Sequence, residues 1–107
     1  MKTILIADDD SRIREMLKMY FTKMGCRVIL ACDGKQAVDL MHNNVDKVVL
    51  DVHMPHNGVN ALSEIARLYP NATTVILSGV VDVSDPAIWQ ADHVFSKPAK
   101  LQELYEC

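Results

Sequence analysis

The side chains with the most chemistry to offer stand at the ends of short apolar runs. Asp8-Asp9-Asp10 follows Ile4-Leu5-Ile6-Ala7, Asp51 follows Val48-Val49-Leu50, Ser78 follows Val75-Ile76-Leu77, and Lys97 follows His93-Val94-Phe95-Ser96. Paired carboxylates next to a third repel one another unless a cation neutralises them. A hard divalent ion suits such a pocket: Mg2+ takes one or two carboxylates, keeps waters and completes its shell with phosphate oxygen. Lys97 and Ser78 are the wrong types to ligate that ion. They suit an anion beside it, Lys97 as a point charge and Ser78 as a hydrogen-bond donor. Carboxylate, metal, ammonium and hydroxyl together describe phosphoryl transfer, with Asp51 as a possible covalent acceptor. The plainer reading makes Asp8–Asp10 a solvated helix cap and Lys97 a surface lysine. It must then hold by coincidence at four successive strand ends.

The elements that must position these groups alternate. A first strand at about Thr3–Ala7 leads into a helix with Ile13, Met16, Leu17, Tyr20, Phe21 and Met24 on one apolar stripe. Gly25 sits where a left-handed cap is expected, and a second strand follows at about Arg27–Ala31. Asp33 and Gln36 resemble a capping box, opening a helix that turns Ala37, Leu40 and Met41 inward and ends near Asn43-Asn44. Lys47-Val-Val-Leu-Asp51 lacks alternation and reads as a central strand buried on both faces. After a Pro-, Asn- and Gly-bearing loop, a third helix carries Leu62, Ile65, Ala66 and Tyr69 on one face until Pro70 stops it. A fourth strand at about Thr73–Leu77 precedes the least patterned segment, Gly79–Ser84, and a short helix at about Pro86–Ala91 capped by Asp85. A fifth strand at about His93–Ser96 and a last helix with Leu101, Leu104 and Tyr105 inward complete the series. Such alternation predicts an α/β fold with a parallel sheet covered on both faces.

Composition narrows the function classes. The chain has 107 residues, half of them apolar, enough for one domain with its own core and too apolar for disorder. No apolar run approaches a membrane span, and Asp8 interrupts the start too early for a signal peptide, so a cytoplasmic protein without membrane contact is expected. Cys26, Cys32 and Cys107 lack metal or disulfide spacing and read as reduced thiols. Net charge is −3, while Asp8, Asp9, Asp10 and Asp51 alone supply −4, leaving +1 for the remainder. Acidity concentrated in one place argues for a cation there and against direct nucleic-acid binding, which needs a basic face.

In this order and at these spacings, the motifs Ile4–Asp10, Val48–Pro55, Val75–Gly79 and Phe95–Pro98, with Asp33-Gly34 before a helix, resemble the response-regulator receiver domain of two-component signalling over nearly the whole chain. The resemblance implies a flavodoxin-like, doubly wound five-stranded parallel sheet of order 2-1-3-4-5, here with shortened fourth and last helices. It implies that Asp51 takes a phosphoryl group from a sensor histidine kinase or histidine phosphotransfer protein. Asp8, Asp9 and Asp51 would hold Mg2+ with the backbone carbonyl of His53. Lys97 would pair with the phosphoryl oxygens, and Ser78 would move to hydrogen-bond them. Lys97-Pro98 would be cis, which proline permits. Such a domain is no enzyme beyond the chemistry of its own aspartate. No output domain follows Lys97-Pro98, and the last helix reads as too short to be complete, so either a stand-alone receiver or a shortened form is expected.

The chain departs from the family pattern in three places. Gly58 comes seven residues after Asp51 where relatives usually place a glycine eight on. Ser78 and Lys97 are nineteen apart, about a helical turn closer than is common. Val94 occupies the position of the usual aromatic switch, and Phe95 belongs to the opposite sheet face by strand period. The expected output element is therefore the poorly patterned Gly79–Ala91 segment, with Trp89 inside it as core filler or partner anchor. Two other function classes fit the residues less well. A receiver-like interaction module that signals without phosphate fits Val94 but not the intact acidic set. A flavin carrier would need a phosphate loop where Asp8-Asp9-Asp10 stands. His53 and His56 read as solvated loop residues, not zinc ligands.

Overall fold

The structure is a computed structural model and describes residues 1–52, 58–79 and 86–107. Five strands, β1 (Thr3–Ala7), β2 (Arg27–Ala31), β3 (Lys47–Leu50), β4 (Thr73–Ser78) and β5 (His93–Ser96), form one parallel sheet in the order β2-β1-β3-β4-β5. Between and after them run α1 (Ser11–Lys23), α2 (Gly34–Leu40), α3 (Gly58–Leu68), a 3-10 turn at Pro86–Gln90 and α4 (Leu101–Glu106). The expected flavodoxin-like order is thus observed.

The strands of the sheet interior are apolar without a break because both faces are covered. Leu5, Val48, Leu50 and Ile76 turn toward α2 and α3, where they meet Ala37, Met41, Leu62 and Ile65. Ile4, Ile6, Val49, Val75 and Leu77 turn the other way, against Leu17 and Phe21 of α1 and Leu104 of α4. Val94 belongs to the first layer and Phe95 to the second, so the two lie on opposite faces as the strand period requires.

Local signals shape the ends. Gly25 has φ +85°, and its N–H and that of Cys26 donate to the carbonyls of Thr22 and Phe21, a Schellman closure of α1. Asp33 caps α2 by accepting from the Gln36 N–H, while the Gln36 side chain accepts from the N–H of Cys32, one residue before the partner a capping box would use. The Lys97-Pro98 peptide is cis.

Four expectations need correction. The α1 stripe is narrower than its periodicity suggests: Leu17 and Phe21 are buried, but Met16 and Met24 stay about half exposed because the sheet meets only the middle of that face. Helix α2 ends at Leu40, not near Asn43. Met41 leaves the helix with extended backbone and drops into the core, which turns Leu40 outward. The short helix after Pro86 is a 3-10 turn that buries only Ile88. Trp89 is 57% exposed and is not core filler, since three residues per turn place it about 120° around from the buried Ile88. The proposed Asp85 cap and most of the poorly patterned Gly79–Ser84 stretch lie outside the described residues.

One buried residue was not foreseen. Lys47, at the start of β3, is 2% exposed, and its Nζ donates to the carbonyls of Leu104 (2.7 Å) and Tyr105 (3.1 Å) in the last turn of α4. A cation there suits the negative end of the helix.

Candidate functional site

The strand order puts β1 and β3 side by side although β2 intervenes in sequence, and the chain reverses its winding direction between them. In open parallel sheets the crevice at the carboxyl ends of such strands is where ligands bind. Asp8 follows β1 and Asp51 follows β3, with Ala7 and Leu50 paired in register, so the two carboxylates flank that crevice. Ser78 closes β4 and Lys97 leaves β5 one residue after the Ser78–Ser96 pair. The four candidates picked from the sequence therefore converge on one edge.

Lys97 Nζ bridges the two acids, 2.8 Å from Asp8 Oδ2 and 3.0 Å from Asp51 Oδ2. Ser78 Oγ donates to Asp51 Oδ1 at 3.1 Å, and Asp8 Oδ1 accepts from the Asp10 N–H at 2.9 Å. Asp8, Asp51 and Ser78 are buried, whereas Asp9 is exposed. Burial pushes the Asp8 carboxyl above its ordinary range, against the pull of Lys97 and the Asp10 amide. Burial also works to lower the Lys97 ammonium, but its bonds to Asp8 and Asp51 outweigh that and raise it.

One carboxylate oxygen from each of Asp8, Asp9 and Asp51 lies within 4.8 Å of the others. Three carboxylates against one ammonium leave the pocket a net charge of two minus, which one divalent cation cancels. The donor set is all oxygen, the preference of Mg2+. Asp10 does not belong to it. Its carboxylate caps α1 through the Arg12 N–H and pairs with the Arg12 guanidinium, which holds its carboxyl below the usual range. His53, expected to offer its carbonyl, lies outside the described residues, as does His56.

Gly58 opens α3 directly against the Asp51 backbone. A Cβ there would meet the Asp51 carbonyl oxygen and stand 2.8 Å from Val52 Cα, both main-chain atoms that cannot give way. The shorter spacing to this glycine still brings the helix start onto the Asp51 backbone. Arg14 also escaped the sequence reading. Its Nη1 donates to the main-chain carbonyl of Asp8 at 2.7 Å. A signal existed: α1 carries Arg12 and Arg14 near its positive end and no acid in its first turn, so both needed anionic or carbonyl partners upstream.

Comparison with known proteins agrees with this geometry. The family model described as "Response regulator receiver domain" matches residues 4–107. Response regulator MprA of Mycobacterium sp. (strain KMS) is 36% identical over 106 residues, 94% of this chain and 46% of that protein. The chain spans less than half the length of such curated relatives. Response regulator protein TrrA of Thermotoga maritima, solved in complex with Mg2+-BeF, is 33% identical with a TM-score of 0.89, over 99% of this chain and 95% of that one. TrrA solved in complex with the histidine kinase ThkA matches at 33% identity with a TM-score of 0.86, over 99% and 94% of the two chains. No helix among the described residues is long and apolar enough to cross a membrane.

Proposed function

This chain belongs to the response-regulator receiver domain family of two-component signalling, and from that premise we propose that it accepts a phosphoryl group on Asp51 in a Mg2+-dependent reaction and changes conformation in response. The observation that carries the reading is the convergence on Asp51: Lys97 on one oxygen, Ser78 on the other, and Asp8 and Asp9 beside it. Asp8, Asp9 and Asp51 would hold the ion, joined by the His53 carbonyl. When bound, the ion supplies charge neutralisation to the phosphoryl oxygens.

The donor is a phosphohistidine of a sensor kinase or phosphotransfer protein, a reading supported by the solved complex of TrrA with a histidine kinase. An Asp51 carboxylate oxygen forms the new bond to phosphorus as the bond from phosphorus to the histidine nitrogen breaks, and the electron pair leaves with the imidazole. Lys97 Nζ is already aimed at the carboxylate that gains the group, so it can follow the phosphoryl oxygens without reorganisation of the site. Ser78 is a donor ready to turn to a phosphoryl oxygen. The chemistry is confined to the chain's own aspartate, so it is a phosphorylation switch, not an enzyme acting on other substrates. Residues 1–107 work as one receiver unit in this reading.

The test is intact mass after incubation with Mg2+ and acetyl phosphate. Wild type should gain one phosphoryl group and Asp51→Asn none. No gain in wild type would sink the reading in favour of a receiver that signals by protein contact alone.

A further inference from the structure

Arg14 lies near the N-terminus of α1, where the helix dipole disfavours a cation. Its guanidinium cannot shed its charge, and the side chain is half-buried, so it stays there only with an acceptor in place. That acceptor is the Asp8 carbonyl oxygen at 2.7 Å. Arg12 has a different task, since its guanidinium is spent at the surface on Asp10. Asp8 is consequently held at three points, one of them Lys97 on its Oδ2. The Asp10 N–H holds its carboxylate and Arg14 holds its carbonyl. Asp9 lies between these two anchors and is exposed, with no side-chain hydrogen bond of its own among the described residues.

We infer that Arg14 is a positioning residue for the acidic pair, an inference that rests on the reading of Asp8, Asp9 and Asp51 as the Mg2+ site. A peptide unit is planar, so pinning the Asp8 carbonyl fixes the amide of Asp9 and the root from which its carboxylate projects. Among the described residues the Asp9 side chain has no hydrogen bond to direct it, so its aim rests on the two anchored peptides that flank it, and its oxygen nevertheless reaches the shared cluster. The contact falls on a main-chain carbonyl and not on a carboxylate oxygen, so it leaves the Asp8 ligand atoms available. Groups that orient metal ligands from behind typically contribute 10–100-fold in affinity.

The experiment uses the full chain and Mg2+ alone, with the dissociation constant taken from calorimetry and the metal-free melting temperature measured in parallel. Arg14→Met should weaken Mg2+ binding about tenfold while shifting metal-free melting by only a few degrees. Arg14→Lys, whose ammonium can still donate to the carbonyl, should recover most of the affinity. Arg12→Met should bind as wild type does. Wild-type affinity in Arg14→Met would overturn the inference, and so would an equal loss in Arg12→Met or no recovery in Arg14→Lys. Wild type that binds no Mg2+ removes the metal site and Arg14's role together, whereas tight binding unaffected by Arg14→Met removes the role alone.

Discussion

Ser78 Oγ stands 3.1 Å from Asp51 Oδ1, with both side chains buried. In the proposed reaction the hydroxyl would have only to exchange one oxygen for another. Ser78→Ala should slow phosphorylation from acetyl phosphate by roughly 100-fold, the usual cost of one donor at a developing charge. It should lower stability by only about 1 kcal/mol, the net worth of one hydrogen bond. Unchanged phosphorylation kinetics in the variant would show that the hydroxyl is a structural neighbour and no more.

Metal should stabilise the folded chain through linkage. At Mg2+ ten times its dissociation constant the gain is about 1.4 kcal/mol, a rise in melting temperature of roughly 5–10 °C for a chain of this size. Asp9→Ala should lose that rise. Its metal-free melting temperature should be higher than that of wild type, because one of three mutually repelling carboxylates is gone. A wild-type melting curve indifferent to Mg2+ would contradict the site.

Lys97 is the standing counter-charge of two buried acids. Lys97→Met should destabilise the metal-free protein by roughly 3–5 kcal/mol, as when one partner of a buried pair is removed. Mg2+ should recover part of the loss. The ammonium's pKa is raised in the folded state. Its contribution is therefore complete below the unfolded value, near 10.5, and fades as pH climbs through the folded one. Urea midpoints followed through that alkaline window should fall for wild type and stay flatter for Lys97→Met.

Exchanging a helix glycine for alanine ordinarily stabilises by about 0.5–1 kcal/mol. Gly58→Ala should do the reverse, costing about 1–3 kcal/mol as overpacking does, since the methyl group meets main chain at Asp51 and Val52. Phosphorylation should slow as well, because whichever side yields, Asp51 shifts. A neutral or stabilising outcome would mean that α3 begins farther from the acceptor.

The candidate edge was legible because it is written in local signals. Val48-Val49-Leu50 could only be a strand covered twice, and that fixed where Asp51 emerges. Asp8 and Ser78 followed by the same argument, and Lys97 by its place at the end of the fifth strand. Lys47 was not legible. A lysine at a strand start reads as solvated, and its acceptors lie 57 and 58 residues further on. Arg14 was missed because its partner is a carbonyl, which sequence does not display. Trp89 misled because large aromatics are usually core, while a five-residue 3-10 turn buries a single position, Ile88.

The Lys47 anchor has a consequence for how the chain acquires its structure during synthesis. The central strand can pair with β1 and β4 early, yet its first residue is a cation that the finished sheet excludes from water. Until Leu104 and Tyr105 arrive, that ammonium must remain hydrated, and the sheet around the start of β3 must stay open to admit the water. Folding should therefore complete in one late, cooperative step, with the C-terminal helix acting as the closing latch. A ribosome-bound chain should gain full protease resistance only after residue 105 has cleared the exit tunnel; resistance at shorter lengths would show that the sheet closes without it.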